Sequence, residues 1–236
     1  MTASTPAARP TGVPGRWRPR WRDLPALGWV HARAYTPFLV LAWLVYPLAL
    51  GMVSSAHACG NLAAADNRRA VLALSHPGHR QVLFAVAGGL GGITAGLLPF
   101  LGMSGLLLGA VVAFPGIATT IPEPLLLQLV TAPLTAVMLG GSVVVLLGGR
   151  QMVSAASSLR GVRDPDSGGP VRVLGGFAAW PHSHGHGKAL VQGLLVDPGV
   201  TGTFVAVARH EDLAAWYRRL GMKGHPDTPD VLYLKR

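Results

Sequence analysis

From Gln81 to Pro122 not one residue of the chain carries a charge. A helix needs about 20 apolar residues to cross the hydrocarbon core of a bilayer. The run is too long for one crossing, so it predicts two, at 81–101 and 103–121, divided near "FLGMSG". Phe38 to Ala56 is also uncharged and predicts a span over 38–56, kinked at Pro47, which membrane helices tolerate. After "TIPEP", the uncharged stretch Pro124 to Gly149 predicts a fourth span over 124–149. Gly88, Gly92 and Gly96 recur every four residues and share one helix face, where small residues let backbones approach closely. No ionisable side chain falls inside these spans. A proton relay or ion pathway needs one, which argues against an ion-coupled transporter.

Half of the residues are hydrophobic and only 13% are charged, against about 25% in soluble domains. The formal charge is +10. In a chain this apolar, such an excess suits topology and anionic lipid better than nucleic acid, so no nucleic-acid partner is expected. A single cysteine, Cys59, excludes an internal disulfide and a Cys-rich metal site. The Ala, Gly, Pro and Arg content reads as a high-GC bacterial chain.

The start, 1–34, is a basic tail with Trp17, Trp21 and Trp29 among arginines, a pattern suited to lipid headgroups; no cleavable signal peptide is read there. Four spans over 35–150 would return the chain to its starting side at Arg150, with Arg160, Arg163 and Arg172 beyond. The positive-inside rule then places both termini in the cytoplasm of a multi-pass inner-membrane protein. The intervening 57–80 stretch carries Arg68, Arg69 and Arg80. It lies outside under four spans, or inside if the first apolar segment is re-entrant at Pro47. Within it, "NLAAADNRRAVLAL" reads as a short amphipathic helix.

Residues 151–170 read as a linker, with turn signals in "RDPDSGGP". Beyond it, "VRVLGGFAAW" predicts a strand, "GHGKALVQGLLV" a helix, "GTFVAVAR" a strand, "HEDLAAWYRRLGM" a helix and "DVLYLKR" a strand. The expected unit over 171–236 is a small β-α-β-α-β fold.

Between its first strand and helix lies "HSHGHGKAL", residues 182–190. In an extended segment His182, His184 and His186 would point the same way, as metal ligands can. Gly185 and Gly187 leave them unanchored, and no Cys or carboxylate is within a few residues, so no metal is expected. A second reading uses the junction itself. Glycines allow a tight turn and close backbone approach, the first helical N–H groups point at an anion, and Lys188 adds positive charge. A plain strand-to-helix turn is the third.

The "HSHGHG" stretch followed by "HEDLAAWYRRLGM" resembles the second half of a GNAT-type N-acetyltransferase. In that family an acyl-CoA cradle follows a strand, with Arg or Gln, two variable residues, Gly, one variable residue, then Gly or Ala. Here Gly185 and Gly187 fit, and His182 stands where the Arg or Gln would be. The later helix supplies Tyr217 and Gly221, with His210 in place of the usual Asn and Met222 in place of Phe. The resemblance implies that His182 and the backbone from His184 through Gly185, His186 and Gly187 to Lys188 hold the CoA pyrophosphate. It implies that Phe177, Ala178 and Ala179 align the pantetheine arm, and that Tyr217 protonates the departing thiolate. Family members carry two helices and two or three strands ahead of the cradle strand. Ahead of Val171 this chain reads as a linker and a span, so that half reads as missing and a second copy of the chain could complete it. The function expected is a membrane-anchored acyltransferase moving acetyl from acetyl-CoA to an amine that the membrane part keeps close. The alternative is a non-enzymatic membrane protein whose tail binds acyl-CoA.

Overall fold

A computed structural model of the chain describes residues 19–36, 38–65, 67–75, 79–114, 161–181, 184–197, 200–208 and 211–236, with shorter stretches between 116 and 159. After one 3-10 turn, Trp21–Asp23, come α1 (Leu24–Tyr35), α2 (Leu39–Ala58), β1 (Leu62–Ala64), β2 (Ala70–Ser75) and α3 (His79–Ala113). Then follow β3 (Val171–Ala179), α4 (His186–Val196), β4 (Thr203–Val207), α5 (Glu211–Arg219), β5 (Lys223–His225) and β6 (Thr228–Lys235).

The chain ahead of Val171 is more than a linker and a span: two of its strands join the C-terminal ones. Six strands form one mixed sheet in the order β1-β2-β3-β4-β6-β5. The join is β2 on β3, antiparallel, with Ala70 opposite Ala179, Val71 opposite Ala178 and Leu74 opposite Leu174. The stretch read as an amphipathic helix is therefore the β1–β2 hairpin. Alanine favours helix locally, but here alternation decides: Leu62, Ala64 and Val71 pack on α1 and α2, while Ala63, Ala65, Ala70, Leu72 and Leu74 pack on the opposite face. The turn is held by Asp23, 2% exposed, whose Oδ1 lies 2.8 Å from Arg68 Nη2. Arg69 N–H also donates to Asn67 Oδ1 at 3.0 Å. Because β2 covers the edge of β3, that edge is not open to a strand from a second copy.

The sheet carries helices on both faces. Leu190, Leu194, Phe204, Ala214 and Tyr217 belong to the core under α4 and α5. Leu24, Leu27, Leu50 and Val53 belong to the core under α1 and α2. The region 171–236 ends in a β5–β6 hairpin rather than the single strand expected. Residues 161–170, read as linker, are clamped to the sheet. Asp164 Oδ2 accepts from Thr203 Oγ1 at 2.6 Å, and its Oδ1 accepts from the N–H of Asp166 at 2.8 Å. The Thr203 hydroxyl, then the Asp166 amide, hold that carboxyl well below the usual carboxylate range.

Four membrane helices are not what the described residues contain. Two helices are long and apolar enough to cross a membrane, Leu39–Ala58 and Val86–Ala113. The expected break near "FLGMSG" does not occur, since α3 runs unbroken from His79 to Ala113 with Pro99 inside it. Most of 124–149 lies outside the described residues. Helix α2 is also a wall of the sheet domain, with Val45, Ala49, Leu50 and Val53 buried. Its outer side receives α3 in antiparallel sense. A Cβ on Gly88 would meet Ser54 O at 2.9 Å, one on Gly92 would meet Leu50 O at 2.7 Å, and one on Gly96 would meet Pro47 Cα at 2.6 Å. The four-residue glycine repeat thus does what its spacing predicts: it removes side chains where two helix backbones touch.

A branched side chain on this seam should force the helices apart. Gly92→Val is expected to cost about 1–3 kcal/mol, lowering Tm of the detergent-solubilised chain by roughly 2–10 °C. Gly91→Val, where a Cβ meets nothing within 4 Å, should leave Tm close to wild type. Equal effects at the two positions would contradict the seam.

Candidate functional site

The sheet opens at its centre. Strands β3 and β4 are parallel neighbours, but they pair only at Val171–Thr203, Arg172–Phe204 and Val173–Val205. Beyond Val173, β3 keeps its pairing with β2 out to Ala179, while β4 keeps its own with β6 out to Val207. Gly176, at φ +58°, sits in the irregularity of the β2–β3 register. A Cβ is strained in that conformation, so the glycine lets β3 bend away from β4. The outer part of β3, including Phe177, Ala178 and Ala179, then borders a gap with ladder groups turned toward it.

A cavity of about 360 Å³ fills this region. Its walls are Phe177, Ala178 and Ala179 of β3, the turn from His184 through Gly185 to Lys188, Trp216 of α5, and Ala34 and Tyr35 of α1. Eight of the residues expected in the cofactor site therefore meet in one place: Phe177, Ala178, Ala179, His184, Gly185, His186, Gly187 and Lys188. The ninth, His182, lies outside the described residues, as does His210.

The two glycines of the turn serve different needs. Gly185 caps α4 at φ +73°, a left-handed conformation that a side chain disfavours. Gly187 has an ordinary backbone, but a Cβ there would run into the Phe177 ring. Ala189 N–H bonds back to Gly185 O at 2.9 Å, so the N–H groups of the preceding helical turn have no acceptor within the helix and face the cavity end of α4. Positive helix-terminal charge and Lys188 gather there, a setting for an anion.

His184 and His186 stack with ring centroids 6.1 Å apart. Asn67, from the β1–β2 turn, donates its amide to His186 Nδ1 at 3.1 Å. With Nδ1 accepting, the ring's proton sits on Nε2, a buried atom without a partner among the described residues. Among the described residues no group of three or more His, Cys, Asp or Glu is placed to hold a metal.

Comparisons with family models, curated proteins and solved structures found no match for this chain. Its chemistry has to be argued from the site alone.

Tyr217 does not line the cavity. It is 7% exposed, in the core behind Trp216, with the two ring centroids 4.9 Å apart. Desolvation raises its pKa, and the nearby Tyr35 raises it further. The phenol therefore keeps its proton. Tyr35, which the sequence reading passed over, comes from the opposite face of the sheet and donates its hydroxyl to Phe177 O at 3.0 Å. One turn earlier on α1, the His31 ring lies against Tyr35, tilted by 43° with centroids 4.9 Å apart. His31 is buried, its Nδ1 has no partner among the described residues, and desolvation lowers its pKa to about 4. Tyr35, Trp216 and Asn67 carry no recognisable spacing. Only the "HARAY" step of four residues from His31 to Tyr35 hints that two rings share a helix face.

The buried histidine sets an acid sensitivity. The unfolded imidazole binds a proton below about pH 6.5, whereas the folded one stays neutral to about 4. Stability is fully present above 6.5 and should fall as pH drops between those values, by up to roughly 3 kcal/mol in total. His31→Phe should flatten thermal stability across that window. An unchanged pH slope in the variant would show that His31 is not its source.

Proposed function

We propose that the chain is a membrane-anchored acyltransferase that moves acetyl from acetyl-CoA to an amine. The observation that carries this reading is the gap between β3 and β4, walled at one end by the glycine turn and first turn of α4. An extended thioester arm suits a strand edge whose backbone groups have left their ladder. A pyrophosphate suits the unpaired N–H groups and Lys188 at the helix start. The elements ahead of the cradle strand support the same reading: leaving aside the long apolar α3, two helices and two strands precede it, and the N-acetyltransferases that the turn and the Tyr217 helix resemble carry two helices and two or three strands there.

In the reaction the amine lone pair attacks the thioester carbonyl carbon. A C–N bond forms, the C–S bond breaks, and the thiolate leaves. Tyr217 does not border the cavity, so it would give the thiolate its proton by way of the neighbouring Tyr35 hydroxyl at the gap; a phenol stays protonated at neutral pH and can donate. The attacking nitrogen, cationic in the tetrahedral intermediate, loses its proton to water, and solvent restores the phenol. Tyr35, bonded to Phe177 O, would hold the strand edge that orients the thioester.

The sheet pairing supports a multi-pass topology. Because β2 and β3 pair, a segment between them that crosses the membrane would have to return to its starting side. With α3 as one crossing, the uncharged 124–149 stretch is the candidate for the second. The basic flanks suit a sheet and both termini in the cytoplasm of an inner-membrane protein, beside the acetyl-CoA pool. A reporter fused after Arg236 and active only in the periplasm would overturn this placement.

Acetyl-CoA should bind the detergent-solubilised full chain in calorimetry. Gly187→Val should weaken binding roughly ten- to a hundredfold, since losing even one charge-assisted bond at a displaced turn costs about 1.5–3 kcal/mol. Tyr217→Phe should leave affinity unchanged while thiol release with an amine falls by roughly 10²–10⁴. Wild-type protein that is folded and binds no acetyl-CoA would overturn the reading.

A further inference from the structure

We infer that the acceptor amine is carried on the headgroup of a membrane phospholipid, of the phosphoethanolamine class, and enters the cavity sideways from the bilayer at the α1–α2 turn. This rests on the acetyl-transfer reading above. The cavity wall on the α1 side ends with Ala34 and Tyr35. Three residues on, the chain turns into α2 and exposes a run of apolar side chains: Phe38 is 67% exposed and Val40 71%, with Leu39, Leu41 and Trp43 also exposed.

Helix α3 continues that surface. It lies antiparallel on α2, and the meeting of Gly96 with Pro47 sets its later residues beside the first turns of α2. There Leu98, Leu101, Met103 and Leu106 are exposed as well. Apolar surface on this scale, shared by the outer side of α2 and the long apolar α3, suits a lipid layer. A molecule held in that lipid layer meets the cavity at Tyr35 without passing through water.

Next to two lining residues, Ala34 and Pro181, is a group suited to a phosphate. Arg33, next to Ala34 in the chain, lays its guanidinium over the Trp180 ring at 5.0 Å. Its Nη1 is buried and has no partner among the described residues. A buried unpaired guanidinium donor is costly unless an anion completes it, and guanidinium matches phosphate oxygens well. An amine set beside a phosphate, on an acyl chain anchor, satisfies the apolar rim, the free donor and the cavity together. A lysine on a membrane protein offers the amine without the phosphate.

The test uses the full chain reconstituted in phosphatidylcholine vesicles with and without phosphatidylethanolamine, given acetyl-CoA labelled in the acetyl group. Label should enter the lipid extract only with phosphatidylethanolamine. Soluble glycerophosphoethanolamine at matched amine concentration should react about 10²-fold more slowly, because the bilayer raises the local acceptor concentration. Arg33→Gln should raise the apparent KM for the lipid by roughly tenfold or more, with acetyl-CoA affinity unchanged. Leu39→Glu combined with Leu41→Glu should cut lipid acetylation by roughly tenfold or more, again without changing acetyl-CoA affinity. Faster labelling of soluble amines, or of peptide or membrane-protein amines, would overturn the lipid acceptor and leave acetyl transfer standing. Acetyl-CoA binding with no label in lipid would also overturn it. Absence of acetyl-CoA binding would remove both readings.

Discussion

The antiparallel pairing of β2 with β3 is the contact on which the rest of the molecule depends. These neighbours in the sheet are separated in sequence by a long apolar segment, yet their register runs from Ala70–Ala179 to Ser75–Val173. Without the pairing, β3 would show an open edge and the strands after it would have little core. With it, α1 and α2 lie over one face of a six-stranded sheet and α4 and α5 over the other. The residue count between the strands matters little to stability, because loop-closure entropy grows only slowly with length. A long apolar excursion can therefore be housed in one strand connection.

That arrangement brings residues from both sides of the excursion to one cavity. Tyr35 and Asn67 come from before it; Phe177, His186, Gly187 and Trp216 come from after it. Two side-chain bonds cross the division, Tyr35 to Phe177 O and Asn67 to His186 Nδ1. The glycine seam between α2 and α3 then ties the apolar part rigidly to the wall of the same site. The exposed apolar residues at the start of α2 therefore lie a few residues from Ala34 and Tyr35, which line the cavity.

Much of the C-terminal unit was legible because its periodicity and its turn chemistry agree. "VRVLGGFAAW" is extended and β-rich, and "HSHGHGKAL" carries glycine where the backbone needs φ above zero and where a Cβ would strike Phe177. The glycines of α3 were read correctly for the same kind of reason: an exact spacing answers to a single geometric need. The N-terminal half was not legible as part of the sheet. Helix α2 is uncharged from end to end, with one side on α1 and the sheet and the other on α3, so it reads like any membrane span. The β1–β2 hairpin is short and alanine-rich, and its strand character comes from pairing with β3, a partner far away in sequence. Asp23 read as one more charge in a basic tail, while in the fold it is the buried partner of Arg68. Tyr217 was legible by position, but its burial behind Trp216 and the approach of Tyr35 are tertiary facts.

The central claim is that one ligand site is built from both sides of the long apolar excursion between β2 and β3. Hydrogen–deuterium exchange of the full chain, with and without acetyl-CoA, tests it most directly. The account predicts that acetyl-CoA slows exchange together at the end of α1, residues 32–36, and at β3 and the start of α4, residues 176–190. Slowing confined to the region after Val171, or no slowing in either, would contradict a shared site.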